Sequence, residues 1–383
     1  MMKKLKRIIN EYHLKQKLKY AFHSAELYKV RSLSNGKLAK SFPKIHEIKI
    51  EDGFTRYTFT LLNGMNPSDV KKKEFVFRQV FGNNIEIKGD LKKYVLHVYN
   101  SEMKKQYKYK VKDALAATCN LSLPVLCGIN RHGHLFSYDM VSVPHLLIGG
   151  RTGSGKSTQL RQLLTTLILS KRPEELELYL GDCKKAEFHL FRNVEHVKAN
   201  VVQETHIQQM LIHLKTEMDK RADLLDVFAV AHIDDLPKDR RLPYIVLCID
   251  EFVMLRKNKL IMDSLLELTA LGRALGIFVI LSMQRPVASV LDTTARSNLS
   301  VAMGFRVRDA IESKVLCTPG AEKITVQGRF YMDTNGEMTE LQSPLLTLEE
   351  AKKLLEPFKI MPSNTKPVND STDNDDSIFG RLE

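Results

Sequence analysis

Three stretches of this chain hold residues whose types and spacing suit phosphoryl chemistry. The first is Gly150, Arg151, Thr152, Gly153, Ser154, Gly155, Lys156 and Ser157, a G-x-x-x-x-G-K-S loop followed by Thr158. Glycines let such a backbone curl so that its N–H groups point at phosphate oxygens, and the N-terminus of a following helix adds partial positive charge at the same place. In this pattern Lys156 reaches the β- and γ-phosphates and Ser157 gives its hydroxyl to Mg2+. The second stretch is Tyr244 to Glu251, an apolar run that ends in two carboxylates. Asp250 is the expected Mg2+ partner and Glu251 the group that orients and polarises an attacking water. The third is Ile277 to Met283 followed by Gln284, Arg285 and Pro286. A polar Gln at such a strand end can contact the terminal phosphate or the water, which makes Gln284 a sensor of nucleotide state. The expected ligands are ATP and Mg2+.

These residues need elements to hold them. Leu146–Ile148 precedes the loop as a short apolar strand, and the residues after Lys156 carry apolar positions at helical spacing. Further strands are expected at Leu176–Leu180, Tyr244–Ile249, Ile277–Met283 and Val301–Val307, with helices between them. That alternation predicts an α/β motor with a parallel sheet covered by helices on both faces. Ligands bind such sheets at the carboxyl ends of the strands, where the glycine-rich loop begins.

The rest of the chain divides by composition. Residues 1–45 hold twelve Lys/Arg against Glu11 and Glu26, a net of +10 out of +13 for all 383 residues. Leu5, Ile8, Ile9 and Tyr12 among these lysines predict a basic amphipathic helix suited to a polyanion, either nucleic acid or an anionic membrane surface. Residues 32–36 read as a loop. Residues 46–125 read as a small α/β domain: strands near Glu47–Ile50, Tyr57–Leu61, Ile85–Ile87 and Tyr94–Val98, with a helix started by Pro67 and Ser68 and ended by Gly82. The motor spans 126–360, and 361–383 is a polar acidic tail expected to be disordered. No run of apolar residues is long enough for a membrane span, and no secretion signal is expected. Five scattered cysteines indicate neither a disulfide framework nor a zinc site. A cytoplasmic location is expected, with peripheral contact at the inner face of the membrane through the basic end.

In this order the motifs resemble the FtsK/SpoIIIE family of DNA translocases. Pro144-His145-Leu146-Leu147-Ile148 leading into Thr152-Gly153-Ser154-Gly155-Lys156-Ser157 is similar to the family's PHLL…TGSGKS. Asp182-Cys183-Lys184 and Glu187 resemble its D-P-K-x-x-E, with Cys183 in place of Pro. Ile249-Asp250-Glu251-Phe252, Gly272-Arg273-Ala274-Leu275-Gly276-Ile277, Gln284-Arg285-Pro286 and Gly320-Ala321-Glu322-Lys323 match further segments. The resemblance implies a RecA-like P-loop ATPase that assembles as a homo-oligomeric ring, usually a hexamer, and pumps double-stranded DNA. The layout is similar to the coupling ATPases of conjugative plasmids and integrative elements, which implies a relaxase or membrane channel protein as partner. Such a ring calls for an arginine acting across the subunit boundary. Arg273 is the choice over Arg285, Arg296, Arg306 and Arg308, because it matches the family's ARAAGI; Lys314 stands where members tend to carry Arg. The alternative reading is an FtsK-type ATPase energising protein secretion. A P-loop kinase would leave the Gln284-Arg285-Pro286 and Gly320-Ala321-Glu322-Lys323 segments unexplained, and intact Lys156, Asp250 and Glu251 argue against a degenerate site.

Overall fold

A computed structural model describes residues 2–32, 37–51, 53–287 and 293–360. Of the loop expected at 32–36, Ser32 ends the strand Lys29–Ser32; residues 33–36, the acidic tail at 361–383 and the side chains of Leu5 and Ile8 lie outside the described residues. Contacts divide the chain into two compact units between residues 103 and 104.

The first unit opens with the helix Met2–Ser24. Its buried face is set by Leu18, Ala21 and Phe22, at the spacing that brings one side of a helix against a core. Phe22 meets Phe59 edge-on with ring centroids 4.9 Å apart. Ile9 and Tyr12, expected on the apolar stripe, stand 49% and 61% exposed. The core-facing stripe therefore lies one to three turns further along, on residues that also pack against Tyr57, Phe77 and Leu96. The sheet beneath is antiparallel, in the order Lys44–Glu51, Phe54–Thr60, Lys93–Tyr99, Ile85–Gly89. The expected helix after Pro67 is two short helices, Ser68–Lys72 and Glu74–Phe81, and Gly82 ends the second at φ 94°. The positive φ is one that glycine adopts at little cost.

The second unit is built on a ten-stranded mixed sheet. Six strands are parallel, in the order Val197–Val201, Leu176–Asp182, Tyr244–Asp250, Ile277–Met283, Leu146–Gly149, Val301–Phe305. Four antiparallel strands extend it: Arg329–Thr334, Glu337–Gln342, Pro124–Ile129 and Leu135–Asp139. Five of these six parallel strands and the helices on both faces are as the sequence predicts; the edge strand Val197–Val201 and the antiparallel half are additions. Side chains alternate across the sheet. Leu146, Ile148, Val246, Cys248, Phe278 and Ile280 pack with the helix Lys156–Ser170 on one face. Leu147, Ile245, Leu247, Ile249, Ile277 and Val279 pack with the helices Glu204–Phe228 and Lys259–Leu271 on the other. A strand buried on both faces has little use for polar alternation, which is why these read as continuous apolar runs. Among the described residues no helix is long and apolar enough to cross a membrane.

Candidate active site

The loop Gly150–Gly155 joins the strand Leu146–Gly149 to the helix Lys156–Ser170. Its shape is fixed by backbone bonds: the Gly150 amide donates to Met283 O (3.1 Å), Arg151 to Arg306 O (2.9 Å), and Gly328 to Ser154 O (2.8 Å). Gly155 caps the helix at φ 108°, and a Cβ there would lie 2.6 Å from the Gly328 Cα. Both conditions demand glycine.

Lys156 is the first residue of that helix and is 4% exposed. Its ammonium reaches across the neighbouring strand Ile277–Met283 to the strand beyond it. Lys156 Nζ donates to Ser282 Oγ at 2.7 Å and to Asp250 Oδ1 at 2.5 Å, and Ser282 Oγ donates to the same Asp250 oxygen at 2.7 Å. A buried ammonium and a buried carboxylate, each costly alone, are satisfied by one another and by one hydroxyl. Ser282 was not singled out in the sequence, since it sits within an apolar strand.

Glu251 follows Asp250 with a left-handed backbone, φ 57°, and is 7% exposed. That conformation is uncommon away from glycine, and such outliers persist where surrounding structure holds them. Glu251 Oε1 accepts the Gln284 amide at 3.2 Å, and Oε2 pairs with Lys184 Nζ at 3.0 Å. The Gln284 side chain accepts from Thr152 Oγ1 at 3.1 Å, which links the glycine-rich loop to the end of the third strand. Lys184, quoted in the sequence only as part of a motif, thus belongs to the site. Its turn is shaped by Asp182, whose carboxylate accepts the amides of Lys184 (3.2 Å), Glu187 (2.9 Å) and Phe188 (3.1 Å). Burial pushes the neighbouring Cys183 thiol up to about 12, and the carboxylates of Asp250, Asp182 and Glu251 push it the same way.

The structure thus brings Lys156, Asp250, Glu251 and Gln284 together around the loop that carries Thr152, with Ser157 next to Lys156 in the first turn of the helix. Arg273 is apart from them. It is exposed, donates to Ser142 O at 3.3 Å, and precedes the strand Ile277–Met283 whose far end carries Gln284. A seven-residue strand separates the two positions, roughly 20 Å.

The donor set fits Mg2+. Among the described residues no cluster of three or more His, Cys, Asp or Glu side chains could hold a metal by itself. Mg2+ is instead bound through one or two protein oxygens, substrate phosphates and water. Ser157 and Asp250 would supply the protein oxygens. Lys156 and Ser282 both bond Asp250 at Oδ1, and neither takes Oδ2.

Residues 110–240 match the FtsK/SpoIIIE family model. That stretch is similar to an FtsK/SpoIIIE-family domain. The chain is 30% identical over 257 residues to a DNA translocase FtsK of Tropheryma whipplei, covering 62% of this chain and 35% of that relative. With the FtsK of Borreliella burgdorferi it shares 31% over 253 residues, 62% of this chain and 32% of the relative. The chain therefore spans about a third of the length of these curated relatives. In fold it is similar to the pCW3 conjugation coupling protein TcpA, solved in a monomer form with ATPγS: TM-score 0.62, 20% identity, 90% of this chain and 99% of that one. It is also similar to the cytoplasmic domain of the type VII secretion ATPase EccC of Thermomonospora curvata: TM-score 0.58, 24% identity, 65% of this chain and 33% of that one. The family-model match ends at residue 240, before Asp250, Glu251 and Gln284.

Proposed function

We propose that this chain is an ATP-driven double-stranded DNA translocase serving DNA transfer or segregation. One observation carries the reading. Lys156, Asp250, Glu251 and Gln284, from three neighbouring strand ends, converge on a glycine-rich loop in a chain whose residues 110–240 match the FtsK/SpoIIIE family model. Lys156 holds the β- and γ-phosphates and exchanges its bond to Asp250 for them. Mg2+, held by Ser157 and Asp250, supplies charge neutralisation at the phosphates. Backbone amides of Gly150 to Thr158 cradle the phosphate oxygens. A cavity of about 300 Å³ beside Gly155 and Thr158, lined by Lys105, Gln106 and Gln327, has room for the nucleoside. Glu251 orients a water whose oxygen bonds the γ-phosphorus as the bridging bond to ADP breaks; its carboxylate takes the water's proton. Gln284 connects that carboxylate to the loop through Thr152, so the presence of a terminal phosphate is felt at the strand end.

Translocation adds assembly as a homo-oligomeric ring, a hexamer in this reading. Arg273, exposed and far from its own subunit's loop, acts in the neighbour's site. Duplex DNA is held through its phosphates by a chain of net charge +13, and affinity falls steeply with salt. A relaxase or channel protein delivers the DNA, and the protein works in the cytoplasm at the inner face of the membrane. The test is ATP-dependent displacement of a triplex-forming strand from linear duplex DNA. Displacement that requires ATP and DNA length supports the reading. ATP turnover with no displacement, together with stimulation by a secreted peptide, favours the protein-secretion alternative.

A further inference from the structure

Both oxygens of the proposed hydrolytic carboxylate already have a protein partner. Glu251 has one oxygen on the Gln284 amide and the other 3.0 Å from the Lys184 ammonium. A group that orients and deprotonates water must offer that water an oxygen within hydrogen-bond reach. A carboxylate oxygen accepts more than one hydrogen bond, but an ammonium beside it opposes the proton that Glu251 must take, so Glu251 is the stronger base once Lys184 has left. The turn that carries it has a fixed backbone: Asp182, 2% exposed, accepts three of its amides, and Glu187 lies 3.9 Å from Arg161 on the phosphate-loop helix. The Lys184 side chain is different. It is 35% exposed and sits on a flexible four-carbon stem.

We propose that Lys184 is an exchange cation of the active site, paired with Glu251 when no triphosphate is bound and moving to the terminal phosphate when one is. The inference rests on the ATPase reading above. A working Glu251 stands one water away from the γ-phosphorus, about 4–6 Å. The ammonium already lies against that carboxylate, so the transfer is a side-chain swing of a few ångströms. The phosphate oxygens make the better partner, because a terminal phosphate carries more charge than one carboxylate. The move does two things. It frees Glu251 Oε2 to accept the water's proton, and it adds a cation where charge develops on the transferring phosphoryl group. An ammonium left on Oε2 would oppose that proton by like charge.

The test uses the full chain with Lys184→Met and Lys184→Arg. Binding is measured first, with ADP and with ATPγS. Lys184→Met should weaken ATPγS binding several-fold while ADP affinity and melting temperature hold, because only the terminal phosphate meets this cation. In turnover, kcat should fall about 10-fold or more with KM changed much less. Lys184→Arg should restore part of both effects. Equal loss for the two nucleotides, no loss for either, or a kcat within twofold of the parent overturns the proposal; a raised kcat also overturns it and would make Lys184 a brake. If the parent protein itself turns over no ATP, the ATPase reading fails, while the ratio of ATPγS to ADP affinity still decides where Lys184 goes.

Discussion

The two ends of the parallel sheet are built from the same strands and handle buried polar groups differently. Where the strands end, Lys156, Asp250, Glu251 and Lys184 are charged groups that satisfy one another within a few ångströms. Where they begin, two histidines are fully buried: His196, and His145 with a left-handed φ of 60°. The His145 Nδ1 accepts the Val279 amide at 3.0 Å. Burial, helped by the charge of Arg273, lowers it to about 4, so it is a neutral ring at physiological pH. One buried charge also stands at this end: Arg221, 2% exposed, pairs with Glu217 at 2.9 Å and donates to Leu275 O at 2.9 Å, while Arg273 on Ser142 O is exposed. Burying charge is costly unless it is paired. The strand-starting end buries one such charge, whereas the strand-ending side clusters several in one place, which marks where the chain accepts that cost for chemistry.

The largest expected effect would join the two ends across a subunit boundary. Arg273→Ala alone should lose on the order of 10³-fold in DNA-dependent turnover if it serves the neighbour's phosphate. Mixing it with Lys156→Ala subunits should restore part of the activity, at interfaces where a parent Arg273 meets an intact Lys156 site. Normal hydrolysis by Arg273→Ala assemblies would remove it from the chemistry and leave the strand-starting end purely structural.

Next in size is Glu251→Gln. Turnover should drop on the order of 10²-fold while ATP still binds, since the amide retains shape but cannot take a proton. Hydrolysis at the parent rate would unseat Glu251.

The opposite end should answer in stability instead. His145 takes up a proton near 6.5 when unfolded and only near 4 when folded. Above 6.5 there is no penalty. As pH falls through this window the unfolded chain binds the extra proton, and stability declines by up to about 3 kcal/mol. His196, also lowered by burial, adds in the same direction. His145→Asn keeps an acceptor and tolerates the left-handed backbone. It should flatten the melting-temperature profile between pH 6.5 and 4 with little change in turnover. An unchanged slope would show that His145 does not carry it.

The smallest effect is chemical labelling. Because thiolate is the reactive form, Cys183, pushed up to about 12, should resist alkylation at pH 8 while the exposed Cys119 and Cys317 react. Equal labelling by mass spectrometry would mean that the carboxylates around Cys183 are more open to solvent than their burial indicates.

The phosphate end was more legible in the sequence than the rest, for a physical reason. A glycine loop and strand-end acids are contiguous motifs, and strands buried on both faces announce themselves as unbroken apolar runs. The strand Ile277–Met283 has the predicted bounds. What could not be read were pairings made only by folding. Ser282 looks like one more strand position until Lys156 crosses to it, and Lys184 meets Glu251 across 67 residues of chain. The antiparallel strands Arg329–Thr334 and Glu337–Gln342 were missed because Glu337 and Met338 are exposed and only parts of each strand are buried, so neither gives a long apolar run. On the first helix, alternating lysines and apolar residues pointed to Ile9 and Tyr12, yet the tertiary partner of the helix lies over Leu18 and Phe22.

The central claim is that the Lys156–Asp250–Glu251 cluster turns ATP hydrolysis into work on duplex DNA. The most direct measurement is phosphate release at saturating ATP and Mg2+, with and without long linear duplex DNA, for the parent chain and for Lys156→Ala. The expected result is turnover strongly stimulated by DNA in the parent and absent from Lys156→Ala under both conditions. Turnover indifferent to DNA, or surviving the loss of Lys156, would contradict the account.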